Sequence, residues 1–265
     1  LQGFDVRAIE IEGITNARDL GGVPVAGDRV VKSGLIYRGD ALYKLSDAGK
    51  TRLGHQYGVR CIVDVRCGWE REAKPDVSII GIENLHIPFY DLEKVGIEYT
   101  KSIEGSKVTG RDIVCDPDDF YRNMPNPLTA KMMREGLDCI FGHALNGEAV
   151  YVHCSGGKDR AGIMALLVLK ILGASDEVIL EDYMLTNEGR DKNIESIFER
   201  FLRLMGGDEE VAWQVTNNHR ARPENLKAFC ESVNERYGSI DSFLGDVLGY
   251  DQKRREELRA QLRDK

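Results

Sequence analysis

The chain has 265 residues, 42 % of them hydrophobic, and a formal net charge of −8. This composition supports one domain over residues 1–265 with a sizeable buried core. The negative charge disfavours nucleic acid binding and stable membrane association, because nucleic acids and anionic membranes attract positively charged protein surfaces. The six cysteines are scattered without a Cys/His cluster at metal-ligand spacing, so we expect reduced thiols, no metal and no cofactor.

Strand and helix patterns alternate in the first part of the chain. LIYRGD, from residue 35, predicts a strand, and LSDAGKTRLGHQYG predicts a helix with Ser46 as its N-cap and Gly58 as its stop. VRCIVDVR, from residue 59, and ENLHIPFYDL, from residue 83, predict two further strands, with a charged turn, WEREAKPD, between them. The polar stretch over residues 93–119 interrupts this alternation and is expected to be a lid insertion.

The same alternation resumes after the polar stretch. NPLTAKMMREGLDCIFGHAL, from residue 126, predicts an amphipathic helix, AVYVHC a strand, and AGIMALLVLKILG a buried helix that is apolar nearly all round. The remaining chain, including residues 207–265, predicts helices. Together these patterns predict an α/β fold with three α/β/α layers, in which helices flank a mostly parallel central sheet.

The segment EAVYVHCSGGKDRAGI, residues 148–163, carries the chemistry. Cys154 ends the predicted strand and Arg160 begins the next helix, at the edge of an α/β sheet where anions bind to helix N-termini. Two adjacent glycines allow successive N–H groups to point inward around phosphoryl oxygens, and Arg160 can donate a two-pronged hydrogen bond. This positive environment favours a thiolate at Cys154, which would be a nucleophile aimed at phosphorus. We expect the other loop residues to bind the phosphate group: Ser155, Gly156, Gly157, Lys158, Ala161 and Gly162.

The C-x5-R spacing in HCSGGKDRAG resembles the signature loop of cysteine-dependent protein tyrosine phosphatases, in particular the bacterial HCxxGKDR subgroup. TNARDLGG, LIYRGDAL, the DVR of residues 64–66, EDYMLTN and ERYGSIDSFL resemble segments of that family in the same order. The resemblance implies a tyrosine-phosphatase-like fold, Cys154 as the phosphocysteine nucleophile, Arg160 as the phosphate clamp and metal-independent two-step chemistry. It also marks Lys158 and Asp159 as a pair distinctive of the subgroup.

Ala161 departs from the subgroup, which usually has Thr or Ser at this position. That hydroxyl is thought to stabilise the thiolate as it leaves, and the loss of one donor to developing charge can cost on the order of a hundredfold in rate. We therefore expect slow hydrolysis of the intermediate.

Two carboxyl groups are candidates for the catalytic acid. Asp159 lies inside the loop, and Asp64 ends a strand whose carboxyl edge should face the same site. Asp64 could instead form a structural ion pair with Arg66 or Arg18. His153 is expected to hydrogen-bond the loop rather than to act as a base.

These residues predict a phosphatase that releases inorganic phosphate from phosphotyrosine, with phosphoserine, phosphothreonine and phosphoinositides as further substrates. Lys158 suits substrates with more than one phosphate, although it could also be a solvated loop charge. Two further hypotheses stay open: a phosphate-binding pseudophosphatase, and an arsenate reductase or sulfurtransferase. The sequence leaves open the oligomeric state and the compartment, either the cytoplasm or, after secretion, the outside of the cell.

Overall fold

The computed structural model describes residues 8–89, 117–191 and 194–265. The predicted lid insertion at 93–119 therefore lies outside the described residues, except for its last three, which begin a helix. The strands are β1 (Arg18–Asp19), β2 (Pro24–Val25), β3 (Arg29–Val31), β4 (Ile36–Gly39), β5 (Val59–Asp64), β6 (Glu83–His86), β7 (Ala149–His153) and β8 (Arg263–Asp264).

The helices lie between and after these strands. They are α1 (Asp47–Thr51), α2 (Gly68–Ala73), α3 (Pro117–Asn123), α4 (Pro127–Leu145), α5 (Arg160–Leu172), α6 (Asp176–Met184), α7 (Thr186–Asp191), α8 (Ile194–Leu204), α9 (Glu209–Asn218), α10 (Pro223–Tyr237), α11 (Ile240–Ser242) and α12 (Gln252–Gln261). Short 3₁₀ or π-helical turns cover Leu42–Lys44, Arg52–Gln56 and Phe243–Val247.

The central sheet has five strands in the order β1-β4-β7-β5-β6. Strands β4, β7, β5 and β6 run parallel, whereas β1 pairs with β4 in the antiparallel sense. The predicted α/β fold with a mostly parallel sheet is confirmed. Because parallel strands end at the same edge, the residues that follow β4, β5 and β7 meet there.

The two faces of this sheet bury different cores. Ile36, Val63 and Val152 pack with the apolar sides of α4 and α5. Tyr37 and Tyr151, which point the opposite way, pack on the other face with the segment around α1. The alternation of side chains along each strand thus produces the predicted three layers.

The predicted caps of the first helix are confirmed. The Ser46 hydroxyl accepts a hydrogen bond from the Gly49 amide at 3.0 Å, and Gly58 adopts a left-handed φ of 65° where the segment ends. Both features follow from ordinary capping chemistry, which acts between close neighbours in sequence.

Two regions differ from the sequence prediction. WEREAKPD was predicted as a charged turn, but its first residues belong to helix α2, in which the Glu70 carboxylate caps the Cys67 amide at 2.9 Å. The predicted all-helical segment 207–265 ends in strand β8, which pairs with β3 in a second, three-stranded sheet. The pairing of β3 with β8 leaves no local sequence signal, because the two strands are far apart in the sequence.

Within the described parts of the chain, no helix combines the length and the apolar character needed to cross a membrane.

Candidate active site

Cys154 lies between a strand and a helix at the carboxyl edge of the central sheet. Strand β7 ends at His153, the loop 154–159 follows, and α5 begins at Arg160. The Cys154 side chain is nearly covered, with the residue 2 % exposed. The predicted strand–loop–helix geometry is therefore present, with the N-terminus of a 13-residue helix directed at the loop.

The loop is held from outside through its carbonyl groups. The Asn16 amide donates from Nδ2 to the Gly156 oxygen at 3.0 Å, and Arg38 donates from Nη2 to the Gly157 oxygen at 2.8 Å. Carbonyls that face outward leave the opposite, N–H-bearing side of the peptides toward the interior of the loop. This orientation is the one required for an anion nest.

Gly157 permits this curvature. Its φ is 67°, in the left-handed region, and a Cβ at this position would lie 2.5 Å from the Gly39 carbonyl carbon. Any side chain would therefore collide with the backbone that follows β4.

Arg38 is itself fixed by a buried carboxylate behind the loop. Asp182 of α6 accepts from Arg38 Nη1 at 2.6 Å and from Arg18 Nε at 2.8 Å. Burial opposes ionisation of Asp182, but the charges and hydrogen bonds of both arginines outweigh it and lower its pKa. The sequence motifs TNARDLGG, LIYRGDAL and EDYMLTN thus meet in one ion-pair network that supports the loop.

Arg160 is oriented by Glu70, a residue that the sequence analysis did not select. The guanidinium donates from Nη1 to Glu70 Oε2 and from Nη2 to Oε1, the latter at 2.8 Å. Glu70 also accepts from the Ser155 hydroxyl and from the Cys67 amide. Burial disfavours the Glu70 carboxylate, yet Arg160 and these donors lower the pKa of Glu70 to about 2.

One edge of the Arg160 guanidinium is left for a ligand. Nε is buried and has no hydrogen-bond partner among the described residues. A buried donor without an acceptor is costly, so a site that retains one has a reason to bind an acceptor there. Glu70 accepts from Nη1 and Nη2, so Nε is the guanidinium donor that would be satisfied by an oxygen of a bound anion.

Asp159 lies beside two tyrosines at the start of α5. The Tyr121 hydroxyl donates to Asp159 Oδ1 and lies 2.7 Å from the Tyr183 hydroxyl. The Asp159 side chain is 33 % exposed, so it keeps access to solvent. Burial, together with the Asp159 charge, raises the Tyr121 pKa, which keeps the phenol protonated as a donor.

Asp64 occupies a different environment. It is fully buried and pairs with Arg66, at 2.7 Å from Nη2 and 2.9 Å from Nε. Burial favours the neutral acid, but the hydrogen bonds from Arg66 prevail and the pKa of Asp64 is lowered. The structure thus contains the Asp64–Arg66 pair that the sequence allowed, while Arg18 pairs with Asp182 instead.

His153 is part of the same buried group. Its Nε2 lies 3.1 Å from Asp76 Oδ2, and its Nδ1 lies 3.3 Å from the Cys154 carbonyl oxygen. Asp76 also pairs with Arg66 at 2.8 Å. The imidazole therefore supports the backbone under Cys154, as expected.

Lys158 contacts the backbone at the end of α9. Its amine donates to the backbone oxygens of Asn218 at 2.9 Å and Arg220 at 3.2 Å, and it lies 3.2 Å from Asp159 Oδ1. The residue is only 4 % exposed. This placement ties the loop to the end of α9 and weakens the argument that Lys158 recognises a second phosphate.

Ala161 and Gly162 continue into the first turn of α5. Ala161 is completely buried, and a Cβ on Gly162 would lie 3.0 Å from the Tyr183 ring. Both positions are therefore restricted to small residues by packing, whatever their role toward substrate.

Sequence reasoning missed Glu70, Tyr121 and Asp182. Glu70 lay in a segment predicted as a turn, and Tyr121 follows the polar stretch that showed no pattern. Asp182 was visible only as part of a family-like motif. Their common feature is contact with residues at least 38 positions away, which no local spacing reveals.

Comparison with known proteins identifies the family of this chain. A profile described as the tyrosine phosphatase family matches residues 9–264, nearly the whole chain. The chain belongs to this family. Its members share phosphatase activity, so this tyrosine phosphatase family protein is an enzyme that removes phosphate groups.

Two curated relatives are similar over most of their length. The triple specificity protein phosphatase PtpB of Mycobacterium tuberculosis is 27 % identical, over 90 % of this chain and 93 % of the relative. A protein of Cupriavidus necator named as a tyrosine-protein phosphatase is also 27 % identical, over 92 % of this chain and 85 % of the relative.

Solved structures with weaker similarity include two phosphatases. PTPMT1 in complex with PI(5)P has a TM-score of 0.34 and 14 % identity, covering 76 % of this chain and 92 % of that one. The core catalytic domain of the PP-IP phosphatase SIW14 from S. cerevisiae has a TM-score of 0.35 and 11 % identity, covering 88 % of this chain and 98 % of that one.

Proposed function

We propose that this family member hydrolyses phosphotyrosine in proteins through a cysteinyl-phosphate intermediate on Cys154. The observation that carries the proposal is the loop itself, with its carbonyls bonded outward and Cys154 and Arg160 at its two ends. The arrangement offers N–H groups, a helix N-terminus and an unpaired Arg160 Nε to one tetrahedral anion.

The reaction has two steps with balanced bonds. Cys154 Sγ attacks phosphorus, the S–P bond forms, and the bond from phosphorus to the leaving oxygen breaks as that oxygen takes a proton from Asp159. Water then attacks the phosphocysteine and gives its proton to Asp159. Inorganic phosphate leaves and the thiolate is restored, without any metal.

Asp159 is the acid in this proposal, in preference to Asp64. Asp159 is partly exposed at the loop, whereas Asp64 is fully buried and held as a carboxylate by Arg66. A carboxylate with a lowered pKa is a poor proton donor near neutral pH.

Substrate breadth is a second part of the proposal. The name of the mycobacterial relative states triple specificity, and we propose that this chain likewise accepts phosphoserine, phosphothreonine or phosphoinositides in addition to phosphotyrosine. The depth of the site decides this breadth, because a shallow loop admits short side chains that a deep one cannot reach.

Ala161 is proposed to slow the second step. No hydroxyl is present at this position to donate to the Cys154 sulfur as it leaves phosphorus. A pre-steady-state burst of aryl alcohol should therefore precede steady turnover. Because Ala161 is completely buried, Ser rather than Thr is the suitable replacement, and Ala161→Ser should reduce the burst by speeding the second step.

The central test is hydrolysis of para-nitrophenyl phosphate, without added metal, by the wild-type protein and the Cys154→Ser variant. We expect turnover in the wild type, none measurable in the variant, and similar phosphate binding in both. Activity near the wild-type level in the variant would remove Cys154 from the mechanism. Phosphate binding without turnover in the wild type would favour a pseudophosphatase. Reduction of arsenate without phosphatase turnover would favour an arsenate reductase, and transfer of sulfur would favour a sulfurtransferase.

The acid is tested with aryl phosphates of graded leaving-group pKa. Asp159→Asn should slow esters with poor leaving groups by about a hundredfold or more and spare those with good ones. A uniform defect across the series would pass the acid role to another residue.

A further inference from the structure

A second cluster of reactive side chains lies at the opposite end of the sheet from Cys154. Cys61 of β5, Cys139 of α4 and His143 of α4 each place one donor atom within 4.8 Å of the other two. The two sulfur atoms are 3.5 Å apart. Cys61 pairs with Val150, four residues before Cys154, so the cluster lies roughly 13 Å from the nucleophile at the usual strand rise.

Local backbone features bring these side chains together. The pairing register of β5 shifts between Val59 and Cys61, and this irregularity places Val59 in the core on the α1 side but Cys61 in the core beside α4. Cys139 and His143 are four residues apart on α4, so they share one helix face. Cys61 faces α4 together with Val63, because side chains two residues apart on a strand share a face.

The spacing suits a shared metal ion better than a covalent bond between the sulfurs. Zinc binds thiolate sulfur at about 2.3 Å in a tetrahedral site, which puts two sulfurs about 3.8 Å apart. A disulfide needs about 2.05 Å. The observed 3.5 Å is therefore close to the tetrahedral edge.

Neighbouring carboxylates favour a cation here. His143 Nδ1 lies 2.6 Å from Glu148 Oε2, a contact that resembles the carboxylate–histidine pairs behind many metal ligands. Glu83 of β6 is the register partner of Cys61, and its charge acts on both thiols.

We propose that Cys61, Cys139 and His143 bind one zinc-class divalent cation that fastens α4 to β5. Binding replaces two thiol protons, which pass to solvent, with two metal–sulfur bonds. A water molecule completes the tetrahedron. The role is structural, because the site lies at the opposite end of the sheet from the Cys154 loop.

The test measures zinc on the full chain after reduction, removal of metal and reloading with one equivalent. We use the Cys154→Ser background, which removes the catalytic thiol as a competing ligand. We expect one zinc per chain, cobalt substitution to give the intense visible bands of a tetrahedral thiolate site, and zinc to raise the melting temperature. Cys139→Ser and His143→Ala should each weaken binding by at least about tenfold.

Cys230→Ser is the matched control, because Cys230 is another half-buried helical thiol outside the cluster. It should retain the zinc. His143, whose side chain is 24 % exposed, provides a variant that folds even if Cys139→Ser does not. The proposal would be overturned if zinc persisted in both cluster variants. It would also be overturned if the reduced parent protein bound no zinc and instead formed a Cys61–Cys139 disulfide in air.

Discussion

Two arginine–carboxylate pairs flank the loop of residues 154–159, and they have different environments and different effects on the loop. Behind the loop, Arg38 and Asp182 are almost completely buried, and Arg38 bonds to the loop carbonyls. In front, Arg160 and Glu70 remain 11 % and 13 % exposed at the side chain, and Arg160 keeps an unpaired Nε. The same chemical pair therefore holds the loop carbonyls on one side and, on the other, orients Arg160, the proposed phosphate-binding residue.

The difference arises from what surrounds each carboxylate. Asp182 shares its two oxygens between Arg18 and Arg38, so its charge is neutralised within the core. Glu70 is held by Ser155 and by the Cys67 amide as well as by Arg160, and its side chain remains 13 % exposed. Removing one partner of a buried pair leaves an unpaired charge in the core and lowers the free energy of unfolding. Removing one partner of a pair at a binding site changes the position of the group that contacts the ligand.

The largest effect is expected from breaking the rear pair. Asp182→Asn leaves two buried arginines without their counter-charge and should lower the free energy of unfolding by about 3–5 kcal/mol. Chemical denaturation with the exposed Asp176→Asn, on the same helix, as control measures this. A loss as small as that of the control would show that the rear network is not needed for the fold.

Breaking the front pair should act on catalysis. Glu70→Gln removes the charge that aligns Arg160, and we expect kcat/KM to fall by about tenfold to a hundredfold. Glu72→Gln, an exposed change on α2, is the matched control. If kcat/KM instead rose and phosphate bound more tightly, Glu70 would be a competitor of the substrate for Arg160 rather than its support.

A Lys158 variant tests whether this loop cation stabilises the fold, as Arg38 does, or binds substrate, as proposed for Arg160. Its amine bonds to backbone oxygens near the end of α9, so Lys158→Met should reduce the free energy of unfolding by about 2 kcal/mol. Activity should fall in equal proportion on a phosphotyrosine peptide and on a phosphoinositide. A selective loss on the phosphoinositide would restore Lys158 to the substrate site.

A further prediction is a pH dependence of stability that belongs to Glu70. Its pKa is lowered from 4.5 to about 2 in the folded protein, so its ionised form adds stability above pH 4.5 that is lost as pH falls toward 2. The difference in unfolding free energy between wild type and Glu70→Gln should therefore shrink over that range. A constant difference would show that Arg160 does not hold the Glu70 carboxylate.

Much of the catalytic loop could be predicted from the sequence. Cys154, the two glycines and Arg160 lie within seven consecutive residues, and the strand before them and the helix after them have clear hydrophobic patterns. Ser46 and Gly58 likewise marked the ends of their segment, because caps act over a few residues.

Only the tertiary structure decided which residues support that loop. Glu70 reaches Arg160 across 90 positions and Arg38 reaches Asp182 across 144, and neither distance has a periodic signature. Cys61 and Cys139 are in contact because the face of β5 that carries Cys61 packs against α4, across 78 positions of sequence. The sequence by itself determined most of the elements and the position of Cys154 and Arg160 at the two ends of one strand–helix loop, since these depend on local periodicity and spacing. The paired carboxylates and the second thiol cluster depend on how distant elements pack, which local patterns do not encode.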